Sequence, residues 1–196
     1  RVRGERITGV FVDGQPIAES VPTDDEFKFQ RTYTDGPLFA PATGYFTLNQ
    51  GNTGIEGSLN DYLSGTSNSQ FLDQVNALLT GQNPKGAAVE LTLDRDIQQA
   101  AWDALGDLQG AVIAINPKTG AILAMVSKPT FDPNTLAGHD TDQVIAAYDQ
   151  LLADPAGPLF NRTLAGNLNP PGSTFKLVVA AAALASGQYT ADSQSP

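Results

Sequence analysis

Two apolar runs, residues 111–115 and 121–126, are joined by Asn116-Pro117-Lys118-Thr119-Gly120, and this stretch constrains the fold more than any other. A proline and a glycine within so short a link force the chain to reverse. Apolar runs flanking such a reversal pair as an antiparallel hairpin. Upstream, residues 89–93 read as a strand, and Asp94 is placed to cap a helix. In that helix Ile97, Ala100, Ala101, Ala104, Leu105 and Leu108 share one face. Downstream, a helix is expected over about 142–152, with Val144, Ile145, Tyr148, Leu151 and Leu152 inward and Pro155 as its stop. Strand, helix, hairpin and helix in that order define an α+β arrangement.

Residues 1–50 read as short extended segments. Ile7, Val10, Phe11 and Val12 precede Asp13-Gly14, a strong turn dipeptide, and Ile17-Ala18 follows it. Phe27 and Phe29 alternate with polar neighbours as a half-buried strand would. Gly36-Pro37 and Ala40-Pro41 read as punctuation, and residues 44–48 as a short aromatic strand or loop. Phe71, Leu72, Val75, Leu78 and Leu79 predict a helix over 69–80. Gly81-Gln82-Asn83-Pro84-Lys85-Gly86 then reads as a linker, dividing a module at 1–85 from a second part at 86–196.

Eleven basic residues against twenty-one acidic ones give a net charge of -10. That balance excludes a nucleic-acid partner, which needs clustered Lys and Arg. The absence of cysteine removes disulfides, thiolate chemistry and sulfur-ligated zinc. His139, the only histidine, lies near Asp140 and Asp142 and reads as a surface cluster. A metal site would want more than one imidazole, so none is expected. No apolar run reaches the 18 or so residues of a membrane span. The chain opens on Arg1-Val2-Arg3-Gly4, without initiator methionine or signal sequence. The expectation is a trimmed piece or mature ectodomain, anchored to a membrane by a segment not in this sequence.

The chemistry concentrates in Pro170-Pro171-Gly172-Ser173-Thr174-Phe175-Lys176. The prolines are expected to hold the approach extended, with a buried helix beginning near Ser173 and stopping at Gly187. Helical positions i and i+3 share a face, with about 5–6 Å between their Cβ atoms. The Lys176 amine can therefore reach the Ser173 hydroxyl. A hydroxyl beside an amine is a nucleophile beside a base, and the pair suits acyl transfer. The competing reading is a helix-capping serine with a solvated lysine.

Several segments together resemble one family. They are Arg3-Gly4 leading to the Asp13-Gly14 turn, Thr92-Leu93-Asp94 running into Ile97-Gln98-Gln99-Ala100-Ala101, and Gly110-Ala111-Val112. Asn116 to Gly120, Ala124-Met125-Val126-Ser127, Phe131-Asp132-Pro133-Asn134, Asn161-Arg162 and the serine-lysine run follow in order. The chain resembles the class B penicillin-binding proteins, nearest to the PbpA type of actinobacteria. The resemblance implies a small, mostly-β pedestal or dimerisation module, followed by the first part of a serine transpeptidase domain. It also implies that Ser173 is the nucleophile and Lys176 its general base, with the backbone N–H of Ser173 at the helix N-terminus serving the oxyanion. The implied reaction cross-links peptidoglycan stem peptides ending in D-Ala-D-Ala through an acyl-enzyme, with β-lactams as acylating inhibitors and no cofactor. Division and wall-synthesis proteins are the implied partners, at the extracytoplasmic side of the cell membrane.

Ser58-Leu59-Asn60 and Lys118-Thr119-Gly120 spell the family's second and third motifs, but both precede Ser173, whereas in the family both follow it. Lys118-Thr119-Gly120 falls at a hairpin turn, away from the edge strand on which a substrate could pair. Both are read as decoys. Twenty residues follow Lys176, too few for the remaining strands of such a sheet, so the piece alone is expected to be inactive. Two other readings remain open: a β-lactamase or β-lactam sensor sharing the serine-lysine pair, and a non-catalytic wall or division scaffold.

Overall fold

A computed structural model describes residues 9–66, 86–165 and 170–194. Arg3-Gly4, Ile7, the 69–80 helix and residues 81–85 of the linker lie outside the described residues. The chain divides into two compact units, Arg1–Gly166 and Asn167–Pro196. Helices and strands mix in an α+β fold, as expected.

The first unit begins with β1 (Val10–Val12), a reversal at Asp13 and Gly14, and β2 (Gln15–Pro22). Both turn residues have positive φ, 51° and 69°, the conformation that makes Asp-Gly a hairpin dipeptide. β3 (Phe29–Tyr33) pairs antiparallel with β2, and β4 (Val89–Glu90) pairs parallel with β1. The sheet order is β3-β2-β1-β4. The strand expected over 89–93 is thus only two residues long, because Thr92 turns its hydroxyl to the Ile122 carbonyl and Asp94 begins a cap.

Gly36-Pro37 and Ala40-Pro41 do not break the chain. They lie within α1 (Gly36–Thr43), a correction to the sequence reading. Pro37 sits in the first turn, where a missing N–H costs nothing. Pro41 removes the donor that would have served the Pro37 carbonyl, and the Thr130 hydroxyl supplies it instead at 3.2 Å. Two short helices follow, α2 (Gly54–Ser58) and α3 (Asn60–Leu63), which the sequence did not announce. Gly44, at φ 68°, lies against residues 53 and 54. A Cβ there would meet the Thr53 carbonyl oxygen at 2.1 Å, so only glycine fits.

Asp94 caps α4 (Arg95–Leu105), accepting from the Ile97 N–H at 3.0 Å. The buried face differs from the one expected: Gln98 and Ala101 are buried, whereas Ile97 and Leu108 are exposed. Gln98 decides this. Its amide donates to the carbonyls of Leu38 and Met125, and its carbonyl accepts from Met125 N–H at 2.8 Å. A polar side chain that replaces a strand's hydrogen bonds can be buried without penalty. The expected hairpin forms from β5 (Gly110–Ile115) and β6 (Ile122–Lys128). Lys128 crosses to the C-terminal end of α4, donating to the carbonyls of Trp102 and Gly106 with its ammonium 4.0 Å from the indole centroid. α5 (Thr141–Ala153) is capped by Asp140 and buries only Val144, while Leu152 is exposed.

β3 would be a bare edge, and its outward-facing backbone groups recur at Phe29, Arg31 and Tyr33. Asn134 covers the last of these: its side chain accepts from Tyr33 N–H at 2.8 Å and donates to the Tyr33 carbonyl at 2.9 Å. This is a side chain standing in for a neighbouring strand. Asn134→Ala leaves the Tyr33 N–H without that acceptor, and a loss of about 1–3 kcal/mol is expected. A urea titration of the two forms reads it as a lower midpoint with an unchanged slope.

Candidate active site

The serine-lysine run belongs to the second unit. A 3-10 turn, Gly172–Phe175, leads directly into α6 (Lys176–Ala185). Pro171 has φ -68° and ψ -15°, so the approach is already helical there, not extended as expected. The restriction that proline imposes on the residue before it acts on Pro170, and Pro171, followed by glycine, escapes it. Gly172 stands at φ 53°, a left-handed conformation that glycine adopts at little cost. Lys176 N–H reaches the Ser173 carbonyl, closing an i to i+3 ring. In a 3-10 turn residues i and i+3 eclipse, so Ser173 and Lys176 leave the backbone on the same side.

The helix after them is not buried, contrary to expectation. Leu177 is 73% exposed, Val178 and Val179 56%, and Phe175 52%. The unit Asn167–Pro196 is too small to bury an apolar helix against itself.

The decoy motifs lie elsewhere. Ser58 ends α2 and is exposed. Lys118-Thr119-Gly120 forms the β5–β6 turn, where Lys118 N–H and Ala121 N–H donate to the side chains of Asn116 and Thr119. Asn161 and Arg162 lock the end of the first unit. Asn161 donates to the Pro41 carbonyl, and Arg162 N–H donates to the Ser127 hydroxyl at 3.0 Å. The Arg162 guanidinium serves the carbonyls of Ala156, Gly157 and Phe160. A fork of fixed donors fits a turn of carbonyls, and such a turn carries no charge for the sequence to reveal.

The first unit also holds an apolar cleft of about 370 Å³ lined by Pro41, Tyr45, Phe131, Tyr148, Leu151 and Phe160. Burial, with a hydrogen bond and charge interaction from Tyr148, pushes the Tyr45 phenol up to about 12, so it stays protonated. His139 meets Asp25 and Phe27, far from it in sequence. Among the described residues no group of three or more His, Cys, Asp or Glu is placed to hold a metal ion.

Two family models match the chain in succession: the penicillin-binding protein A dimerisation domain over residues 5–89, and the penicillin-binding protein transpeptidase domain over 110–196. The chain therefore belongs to the penicillin-binding protein family. It is 41% identical over 192 residues to the peptidoglycan D,D-transpeptidase PbpA of Mycolicibacterium smegmatis, covering 95% of this chain and 38% of that protein. The peptidoglycan D,D-transpeptidase MrdA of Escherichia coli is 35% identical over 167 residues, 82% of this chain and 25% of that one. A solved structure of penicillin-binding protein A from M. tuberculosis, a ceftriaxone acyl-enzyme complex, superposes with a TM-score of 0.84 at 39% identity. It covers 94% of this chain and 42% of its own. The chain thus spans well under half the length of the curated relatives it matches.

Proposed function

We propose that this chain functions in a peptidoglycan D,D-transpeptidase, with Ser173 as nucleophile and Lys176 as general base. The reading draws its support from the 3-10 turn behind a glycine at φ 53°, since residues i and i+3 of such a turn eclipse. In the reaction, the Ser173 oxygen attacks the carbonyl between the two terminal D-alanines of a stem peptide, and Lys176 takes the hydroxyl proton. The tetrahedral oxyanion is met by backbone N–H donors, that of Ser173 among them. Collapse breaks the amide bond, and the leaving D-alanine amine takes the proton from Lys176. An amine of a second stem peptide then attacks the acyl-enzyme ester and restores an amide as the cross-link. A lysine serves as such a base only when burial and a second cation bring its pKa from about 10.4 toward neutrality.

The module boundary is placed at the 85/86 linker, with residues 1–85 offering a surface to division and wall-synthesis proteins. The site of action is the extracytoplasmic face of the cell membrane. Among the described residues no helix is long and apolar enough to cross a membrane. β-Lactams act as substrate mimics that leave Ser173 acylated. The test incubates the full-length protein with a D-Ala-D-Ala-terminated stem peptide and an acceptor amine, following D-alanine release and dimer formation by mass. Release with cross-linked product is the expected result. Neither product, or rapid hydrolysis of penicillin instead, contradicts the proposal.

A further inference from the structure

We propose that His139 is a proton-operated clasp, which ties the β2–β3 loop of the N-terminal module to the segment entering α5 while its imidazole carries both ring protons. The geometry is specific at each atom. Nδ1 faces the Asp25 carboxylate, and Nε2 lies 3.1 Å from the Phe29 carbonyl oxygen. Both partners accept hydrogen bonds and neither donates, the Asp25 carboxylate when ionised. Only the doubly protonated ring can satisfy the two at once. In either neutral tautomer one ring lone pair points at an acceptor, so one contact turns repulsive. The Phe27 ring stacks on the imidazole, centroids 4.4 Å apart, and favours its charged form.

The Asp25 side of the clasp is built in advance. Its Oδ1 accepts from the Thr23 hydroxyl and from the N–H groups of Phe27 and Lys28, at 2.8, 3.0 and 3.1 Å. Its Oδ2 is left for His139. Desolvation raises the Asp25 carboxyl, but the Thr23 and His139 hydrogen bonds, the imidazolium charge and the Phe27 N–H together hold it below its ordinary range. Asp140, next to His139, spends its carboxylate on the N–H groups of Asp142 and Gln143, so it does not compete. Asp24, Glu26 and Lys28 are the other charges of the loop.

The clasp continues the edge cover begun by Asn134. Gln30 donates to the Ala137 carbonyl, so residues 134–139 run along β3 and meet its outward backbone groups with side chains. Histidine changes charge between about pH 5 and 8. The clasp is closed while His139 is protonated and Asp25 ionised. It loosens as pH rises through the His139 titration, and again when acid protonates Asp25. The inference is independent of Ser173 chemistry.

The test follows the His139 ring nitrogens by NMR on the intact chain, with hydrogen exchange of the Phe27 and Lys28 amides corrected for intrinsic rates. The expected result is two ring protons while the clasp is closed, and amide protection that falls about fivefold or more as His139 deprotonates, the scale of one net hydrogen bond. In His139→Gln the protection is expected to be flat over the same range. Should that variant fold poorly, the wild-type titration alone decides. Protection that ignores the His139 titration, or a single neutral tautomer while both ring contacts persist, overturns the clasp.

Discussion

Replacing Ser173 with alanine is expected to lower β-lactam acylation of the full-length protein by about 10⁴-fold or more, the scale on which removing a nucleophile acts in serine enzymes. Lys176→Met is expected to cost less, about 10²–10⁴-fold, because it removes proton transfer and spares the attacking oxygen. The ordering of the two effects separates nucleophile from base. The eclipsed turn predicts a further distinction. An inserted residue between Ser173 and Lys176 swings the amine off the hydroxyl's side of the backbone, and the loss should approach that of Ser173→Ala. Rates are read by stopped-flow with a fluorescent penicillin. A Ser173→Ala protein that acylates at the unmodified rate contradicts the assignment. Unimpaired growth of cells carrying Ser173→Ala would favour a scaffold role.

The second large effect concerns the first unit. Arg31 and Glu56 meet at 2.7 Å with both side chains 1% exposed, inside the N-terminal core. Removing one partner of a buried ion pair costs about 3–5 kcal/mol, because the other is left charged and dry. Arg31→Met is therefore expected to destabilise the chain on that scale at neutral pH. Burial raises the Glu56 carboxyl, against the opposing pull of the Arg31 charge and of hydrogen bonds from Arg31 and Tyr33. Without Arg31 the rise grows. A carboxyl whose folded pKa is raised binds its proton more tightly folded than unfolded. The penalty is thus full above the folded pKa and shrinks as pH falls through it toward the unfolded value. Arg31→Met should accordingly lose less stability in acid than at neutrality, and Arg31→Met with Glu56→Leu should recover most of the loss. Urea unfolding at several pH values measures both. A pH-independent loss contradicts the account.

What the sequence revealed was local. Asp13-Gly14 and Asn116 to Gly120 specify their hairpins through turn chemistry within a few residues, and Asp94 caps its helix as its position suggests. Ser173 and Lys176 were singled out on equally local ground, three residues of spacing at an expected helix start. What stayed hidden depends on distant partners. Pro41 looks like a breaker until Thr130, some ninety residues on, supplies the missing donor. Gln98, Asn134 and Asn161 look like surface amides, yet each binds backbone far along the chain. Arg31 and Glu56 pair across 25 residues of sequence, with nothing local to announce it. The signal that could have singled out Gln98, Asn134 and Asn161 was their presence inside the segments that carry the family resemblance.

The account turns on a covalent bond to one oxygen. Incubation of the full-length protein with a penicillin, followed by proteolysis and mass mapping, tests it most directly. One acyl adduct on the peptide containing Ser173, absent from Ser173→Ala, is the predicted result. An adduct on any other residue, or an unmodified Ser173 peptide after prolonged exposure, would contradict it.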